Sequence, residues 1–430
     1  MSTRQCFSRH GTFARSARAH LYGALVGGTA WPPRFSRARA KGGLSEAADA
    51  LYVHIPFCRS LCPHCPYQKV RYDAELARRY AETVQHELEV WDATAPLGPL
   101  RHVYFGGGTP ALLLAELPSL LETIRRRRTT VTGVGIELHP LDCSPHTLAQ
   151  LRQLGFDRVS IGVETLQAQV LTQLGRSYSP EQAVQAVTHA TRARFSCVDV
   201  NLLYGIDGQT EEGVLRDVLR LIELGVHQIS AYPLIAFGHT RAGSPRGLRQ
   251  FLSRDRLQRR IRKTCEQQGL VPTSVWSFTK PGAPTYSTVT LPDFRGFGAG
   301  AATKSLRGFW FHTFDPERYI ETQARELVLG LEGDEAFFRA HWLYWKIYQL
   351  QVSESEYRAL FKSELSCDIA LLLRTLRLLG VLRANDGGWR VTPWGADWVH
   401  RLQQLYSLSF IDQFWETCRR EAWPEVVVLE

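Results

Sequence analysis

Three cysteines, Cys58, Cys62 and Cys65, stand in "LYVHIPFCRSLCPHCPY" (51–67), spaced by three and by two residues, straight after an apolar strand-like run. Three thiolates are one too few for a closed tetrahedral zinc site and one too many for a single disulfide. They suit a [4Fe–4S] cluster, which cysteine sulfurs in short spaced runs can hold. Three irons are then ligated and the fourth stays open. Zinc is the rival reading, but His64 is wedged between Cys62 and Cys65, and Cys143 is remote in sequence.

An iron with an open position can chelate the amino and carboxylate groups of S-adenosylmethionine. Reducing that sulfonium takes a low-potential electron, within the range of such clusters. The protein's part is then to orient the product radical and exclude competing partners. The ligand is zwitterionic and carries a ribose diol. It needs backbone dipoles, a carboxylate for its hydroxyls and a cation for its own carboxylate. "GGGTP" (106–110) offers close backbone approach, Glu137 and Glu164 can accept from hydroxyls, and Arg176 can pair with a carboxylate. Taken singly these are weak signals. "GGGTP" lacks the GK[ST] ending of a phosphate loop, and "GFGAG" (296–300) lacks the context of a dinucleotide site.

The surrounding elements give the signals their order. Strand patterns occur at 51–55, 102–105, 135–138, 158–163, 197–204 and 228–234, and helical patterns such as 74–91, 144–155 and 179–193 lie between them. The last two helices open with Ser-Pro, an N-cap followed by proline at the first helical position. Repeated strand–helix alternation predicts parallel βαβ units in an α/β fold, a doubly wound sheet or a barrel. In barrels, chemistry collects at the carboxyl ends of strands. Here those ends carry the cysteine loop, "GGGTP", Glu137, Glu164 and Asn201.

Composition narrows the class. The chain has 430 residues, 44% hydrophobic and 22% charged, ordinary values for a globular protein of two or three domains. No apolar run has the roughly 18 residues a membrane span requires. The net charge is +9, but residues 1–45 hold eight basic residues and no acidic one. Setting those aside leaves 43 basic against 42 acidic residues, so nucleic-acid binding gains no support. The basic, acid-free tail has the composition of a transit peptide or a disordered extension. The nine cysteines are scattered except for the cluster, which fits a reducing compartment better than a disulfide framework. The expected location is cytoplasmic, or organellar if the tail is a transit peptide. Seven of the eleven tryptophans lie between 342 and 423. The run "WLYWKIY" (342–348) reads as core more readily than as a substrate face.

Several motifs in order resemble the radical S-adenosylmethionine enzymes, and within them the oxygen-independent coproporphyrinogen III oxidase family. They are "YVHIPFC", "VYFGGGTP", "GIELHP", "GFDRVSIGVET", "LGRSYSPEQA", "NLLYGIDGQT", "ISAYPL" and "GFGAGA", between about residues 50 and 400. The resemblance implies a partial (β/α)6 barrel with a C-terminal winged-helix module, one [4Fe–4S] cluster and one or two adenosylmethionines. It implies that Cys58, Cys62 and Cys65 hold the cluster, and that Tyr52, Gly107, Gly108 and Thr109 meet the methionyl end. Glu137 and Arg176 would line the rest of that pocket. The implied domains are a tail (1–45), the barrel core (46–240), a connecting segment that completes the barrel (241–335) and the winged-helix-like unit (336–430). The implied partners are a tetrapyrrole or another flat aromatic substrate, and an electron donor such as a flavodoxin or ferredoxin.

The chain also departs from the family pattern. The usual "GVQ" reads "GVE", placing Glu164; the expected Asp of the fifth strand is Asn201; Asp207 replaces a proline; and "TYSTVTLPDF" (285–294) lacks a His-Asn pair. An unmatched buried polar group costs about 1–3 kcal/mol, so these swaps bear on which reaction is run. The expected activities are oxidative decarboxylation of a propionate side chain or methyl transfer from a second adenosylmethionine. The alternatives are a haem-binding chaperone with a regulatory cluster, or a winged-helix regulator that uses the cluster as a sensor.

Overall fold

The computed structural model describes residues 33–39, 48–95, 98–126, 131, 133–240, 248–285, 290–322 and 327–429. The first strands are β1 (Arg34–Arg39), β2 (Ala50–Ile55), β3 (Phe57–Cys58), β4 (Val70–Arg71), β5 (His102–Gly107), β6 (Val134–Leu138), β7 (Arg158–Glu164), β8 (Cys197–Tyr204) and β9 (Gln228–Pro233). Then come β10 (Val271–Pro272), β11 (Ser277–Thr279), β12 (Arg295–Phe297), β13 (Ala302–Lys304), β14 (Gly308–Phe311) and β15 (Leu327–Glu332). The last are β16 (Gln351–Ser353), β17 (Leu382–Asn385), β18 (Gly388–Val391) and β19 (Val426–Val428).

Strands β2, β5, β6, β7, β8 and β9 pair in that order and all in parallel. They are the six strands expected from the sequence, and they form the partial (β/α)6 barrel. Strand β12 extends the sheet in parallel beside β2, while on the other edge β11 pairs antiparallel with β9 and β10 antiparallel with β11. The two faces of the sheet differ in kind. Leu51, Val53, Ile55, Val103, Phe105, Ile136, Val159, Ile161, Val198 and Val200 form one apolar face, packed with the helices in a single core. In register on the other face stand Tyr52 opposite Tyr104, Glu137 opposite Ser160, Ser160 opposite Asp199, and Asn201 opposite Ser230. Because strand side chains alternate, a sequence rich in Val and Ile on one parity still delivers polar groups to the barrel interior.

The Ser-Pro signals mark helix starts as expected. Ser144 caps Pro145–Gln153 and Ser179 caps Pro180–Arg192, the latter through a reciprocal capping box with Gln182.

A second sheet has the order β13-β14-β15-β1-β19. Within the expected tail 1–45, Arg34–Arg39 is therefore a strand, paired antiparallel with β15 and β19. Phe35 explains it. Its ring is 6% exposed and packs on Phe311 and Phe414, and that burial outweighs the basic composition around it. The expectation of a disordered extension is corrected for this stretch. The transit-peptide expectation otherwise falls on residues outside those described.

The helix Glu335–Tyr348, β16, the helices Glu354–Phe361 and Cys367–Leu378, the hairpin β17–β18 and the helix Pro393–Tyr406 make a winged-helix-like unit. Trp342, Leu343 and Tyr348 of the aromatic run belong to its core together with Trp276. The chain then leaves this unit. The helix Asp412–Arg420 packs with Phe35, Phe314 and Leu329 in a separate cluster. No helix among the described residues is long and apolar enough to cross a membrane.

Candidate functional site

The cysteine loop follows β2 and is tied back on itself. Val70 N donates to Pro56 O, Tyr72 N to Cys58 O and Cys65 N to Cys62 O. Cys58, Cys62 and Cys65 are free thiols, each partly buried. Burial pushes the Cys58 thiol up to about 11, against the donor Thr109; Cys65 is raised by burial too, against Lys69. Burial thus favours the protonated thiol at Cys58 and Cys65, and a bound metal would supply the charge that stabilises the thiolate. Among the described residues, no three His, Cys, Asp or Glu side chains converge tightly enough for a single metal ion. In a cluster the cysteines bind separate irons, so they need not converge on one point.

The glycine turn after β5 lies directly against this loop. Gly108 N donates to Ile55 O and Thr109 N to Phe57 O, both at 2.7 Å. A Cβ at Gly108 would lie 2.6 Å from Phe57 O and 2.9 Å from Cys58 Sγ, so only glycine permits this approach. Thr109 Oγ1 is 3.8 Å from Cys58 Sγ.

Glu137, near the end of β6, accepts from Gly107 N at 2.9 Å and from the Tyr104 hydroxyl at 2.6 Å. Burial raises its carboxyl to about 7; the Gly107 bond lowers it and nearby Glu164 raises it further. Tyr52 stacks on Tyr104 with ring centres 5.9 Å apart, and its hydroxyl meets His54 Nδ1 at 2.9 Å. His54 Nε2 lies 3.2 Å from Gln68 O. A carbonyl can only accept, so Nε2 carries the proton and Nδ1 accepts from Tyr52. Burial lowers His54 to about 4, so the ring is neutral and links β2 to the far end of the cysteine loop.

Glu164 ends β7 and faces Arg176, which binds it through Nη2. The loop carrying Arg176 touches the cysteine loop: a Cβ at Gly175 would sit 2.8 Å from Pro63 Cδ. Burial lowers His139 to about 4, and the guanidinium of Arg176 lowers it further.

Asn201 takes a different place. Its Nδ2 donates to Ser160 Oγ at 3.0 Å, and Ser160 and Ser230 donate to Asp199 at 2.7 and 2.9 Å. A carboxylate, Asp199, thus stands one pleat lower than Asn201 on the same face of β8. Burial lifts Asp199 to about 6, against the two serines and Gln228.

The structure brings together Cys58, Cys62, Cys65, Gly107, Gly108, Thr109, Glu137, Glu164 and Arg176 at one rim. It ties Tyr52 in through His54, and it sets Asn201 deeper, among serines. Sequence reading missed His54, Tyr104 and Asp199. A signal existed for all three, since each stands two residues from a residue that was singled out or from the turn behind it, on the same side of a strand. It also missed the C-terminal helix. Arg419 donates to Pro66 O at 2.6 Å, His239 Nε2 meets the same carbonyl at 3.1 Å, and Trp415 packs on Tyr67 and Phe237. Nothing local in residues 412–420 points to that contact.

The family model described as the radical SAM superfamily matches residues 52–221. The haem chaperone HemW of Lactococcus lactis is 29% identical over 299 residues, spanning 67% of this chain and 78% of that protein. The oxygen-independent coproporphyrinogen III oxidase of Pseudomonas aeruginosa is 32% identical over 190 residues, spanning 43% of this chain but only 41% of the oxidase. In three dimensions, the Escherichia coli coproporphyrinogen III oxidase HemN, described as a radical SAM enzyme, superposes with a TM-score of 0.70 at 20% identity. That match covers 86% of this chain and 93% of HemN, and it shows a shared fold.

Proposed function

We propose that this chain, a member of the radical S-adenosylmethionine superfamily in the coproporphyrinogen III oxidase-like family that includes haem chaperones, acts on a tetrapyrrole or other flat aromatic substrate. The radical SAM domain implies a [4Fe–4S] cluster and S-adenosylmethionine. Cys58, Cys62 and Cys65 would hold the cluster, and the glycine turn, packed so closely that a Cβ at Gly108 would meet Phe57 O and Cys58 Sγ, would fix the position of Cys58. When bound and reduced, such a cluster supplies the electron that cleaves adenosylmethionine reductively. The observation that carries this reading is the placement of three free thiols, the glycine turn, Glu137 and Arg176 on the carboxyl rim of adjacent parallel strands.

The chain's own residues have separable tasks. Gly107 and Gly108 present backbone to the methionyl end, with Tyr52 behind them, and Glu137 fixes that turn through Gly107 N. Arg176 offers the cation for a carboxylate, and Thr109 orients Cys58. Asn201, Ser160 and Asp199 line the deeper interior, where a second adenosylmethionine or the substrate's polar edge would sit. The electron comes from a donor such as a flavodoxin or ferredoxin.

A second reading, a haem chaperone with a regulatory cluster, is favoured by one observation. The match to a haem chaperone spans 78% of that protein, against 41% for the oxidase. One experiment separates the two. The anaerobically reconstituted protein is mixed with dithionite and adenosylmethionine, with and without a porphyrin, and the nucleosides are chromatographed. Deoxyadenosine from the wild type and none from Cys62→Ala is the expected result. S-adenosylhomocysteine beside it points to methyl transfer. Tight haem binding with no cleavage moves the function to the chaperone, and tightly held zinc with no iron overturns both.

A further inference from the structure

Glu164 is one of four described non-glycine residues with positive φ, at +61°. For a residue with a branched-out side chain this left-handed conformation costs roughly 1–2 kcal/mol. It coincides with a register shift between Gly162 and Glu164, where β7 slips against β8. The surroundings enforce it. The Tyr178 hydroxyl lies 2.9 Å from Gly162 O and 2.8 Å from Val163 O, and Thr165 N donates to Val163 O at 2.7 Å. Thr165 is in turn anchored by its hydroxyl on Asp217 at 2.6 Å. All this turns one carboxylate inward, onto Arg176. The two side chains are 10% and 16% exposed.

The neighbouring cations of the rim are committed elsewhere. Arg59 pairs with Asp142 at 2.5 Å, and Lys69 donates to Cys65 O at 2.7 Å. Arg176 is therefore the guanidinium a ligand carboxylate would meet, and it already holds an anion. A buried ion pair is close to neutral overall, and a second carboxylate entering beside Glu164 meets repulsion as well as attraction.

We infer that Glu164 is an internal carboxylate that competes for Arg176 with the carboxylate of the adenosylmethionine, and so sets how strongly this site selects ligands that carry an amino-acid head. This rests on the reading of the pocket proposed above. Ligands of the same nucleoside class without a carboxylate escape the competition. Wild-type protein should thus discriminate poorly between the two kinds.

The test is equilibrium binding to the reconstituted protein under anaerobic conditions, by calorimetry. The probes are S-adenosylhomocysteine, which carries the head, and 5′-methylthioadenosine, which lacks it. Glu164→Gln keeps the side chain's shape and removes its charge. The expected result is S-adenosylhomocysteine binding about tenfold tighter to the variant, about 1.4 kcal/mol, with methylthioadenosine changed less than about twofold. Glu164→Ala repeats the test without the amide, in case the glutamine perturbs folding. Unchanged S-adenosylhomocysteine affinity in both folded variants overturns the inference, as does an equal gain for both probes. If neither probe binds wild type or variant, the pocket reading itself falls and the inference goes with it.

Discussion

Two buried carboxylate centres in this molecule are built in opposite ways. Glu87, on the inner side of the helix Ala74–Thr94, lies 2.8 Å from Arg295 Nη2, 2.9 Å from His312 Nε2 and 2.5 Å from the Tyr319 hydroxyl. It also receives Gly298 N at 3.3 Å, while Tyr80 receives Ala299 N at 2.8 Å and donates to His54 O at 2.7 Å. Burial would raise this carboxyl, but His312, Arg295 and Tyr319 reverse that and hold it down at about 2. At the barrel rim and interior, by contrast, Glu137 is lifted to about 7 and Asp199 to about 6, with hydroxyls and a backbone amide for partners. The first centre is complete, and it pins the "GFGAGA" turn under the first strand. The second lacks compensating positive charge, apart from the Glu164–Arg176 pair, as suits a place where a cationic ligand arrives.

Breaking the complete centre should have the largest effect. Glu87→Gln removes the negative charge between Arg295 and His312 and should cost about 3–5 kcal/mol, the usual range for breaking a buried pair. Urea unfolding of the variant measures it. A loss under about 1 kcal/mol would mean that Glu87 does not hold this centre together.

The next effect concerns pH. Asp199 has a folded-state value above its unfolded value of about 3.9, so its burial penalises folding above pH 6. That penalty fades as the pH falls and is gone below pH 4. The difference between the folded value of about 6 and the unfolded one corresponds to roughly 3 kcal/mol. Asp199→Asn should stabilise the protein at pH 8 by up to that amount and flatten stability between pH 7 and pH 5. Glu87 works in the opposite sense. Its value is depressed, so its contribution is full above about pH 4.3 and is lost as the pH falls toward 2. Thermal unfolding at a series of pH values should show both limbs. A wild-type profile falling monotonically from pH 7 to pH 5 would contradict the contrast.

Gly108→Ala tests the contact between the two loops. The added methyl meets a backbone oxygen, and such overpacking costs about 1–3 kcal/mol. It should fall on the cysteine loop, so iron per chain after reconstitution should drop by more than half while the pH profile keeps its shape. The smallest effect is expected at the C-terminal helix. Arg419→Ala removes one hydrogen bond to Pro66 O, worth about 1–2 kcal/mol locally. Bleaching of the cluster in air should quicken several-fold, with global stability nearly unchanged; an unaltered bleaching rate would show that the helix does not guard the loop.

Much of the scaffold was readable because it rests on local rules. The six parallel strands fall within a few residues of their apolar β-branched runs, and the Ser-Pro helices start where capping chemistry places them. The site was partly readable for the same reason, since strand ends and turn glycines mark a rim. Asp199 was not legible because the strand motif marks Asn201, and only the pleat shows that the residue two positions earlier shares its face. Strand β1 was hidden by its composition: one phenylalanine among arginines carries no periodic signal, and its two partner strands lie almost 300 and almost 400 residues away.

The three cysteines and their spacing, the strand–helix order and the polar groups at strand ends can be read along the chain, because each depends on neighbours a few residues off. It takes the folded molecule to turn Glu164 back onto Arg176, to bring Glu87 to Arg295 across 208 residues, and to carry Arg419 to Pro66. Those pairings depend on how separate elements pack and on which buried charges find partners, and no local preference of the chain encodes them.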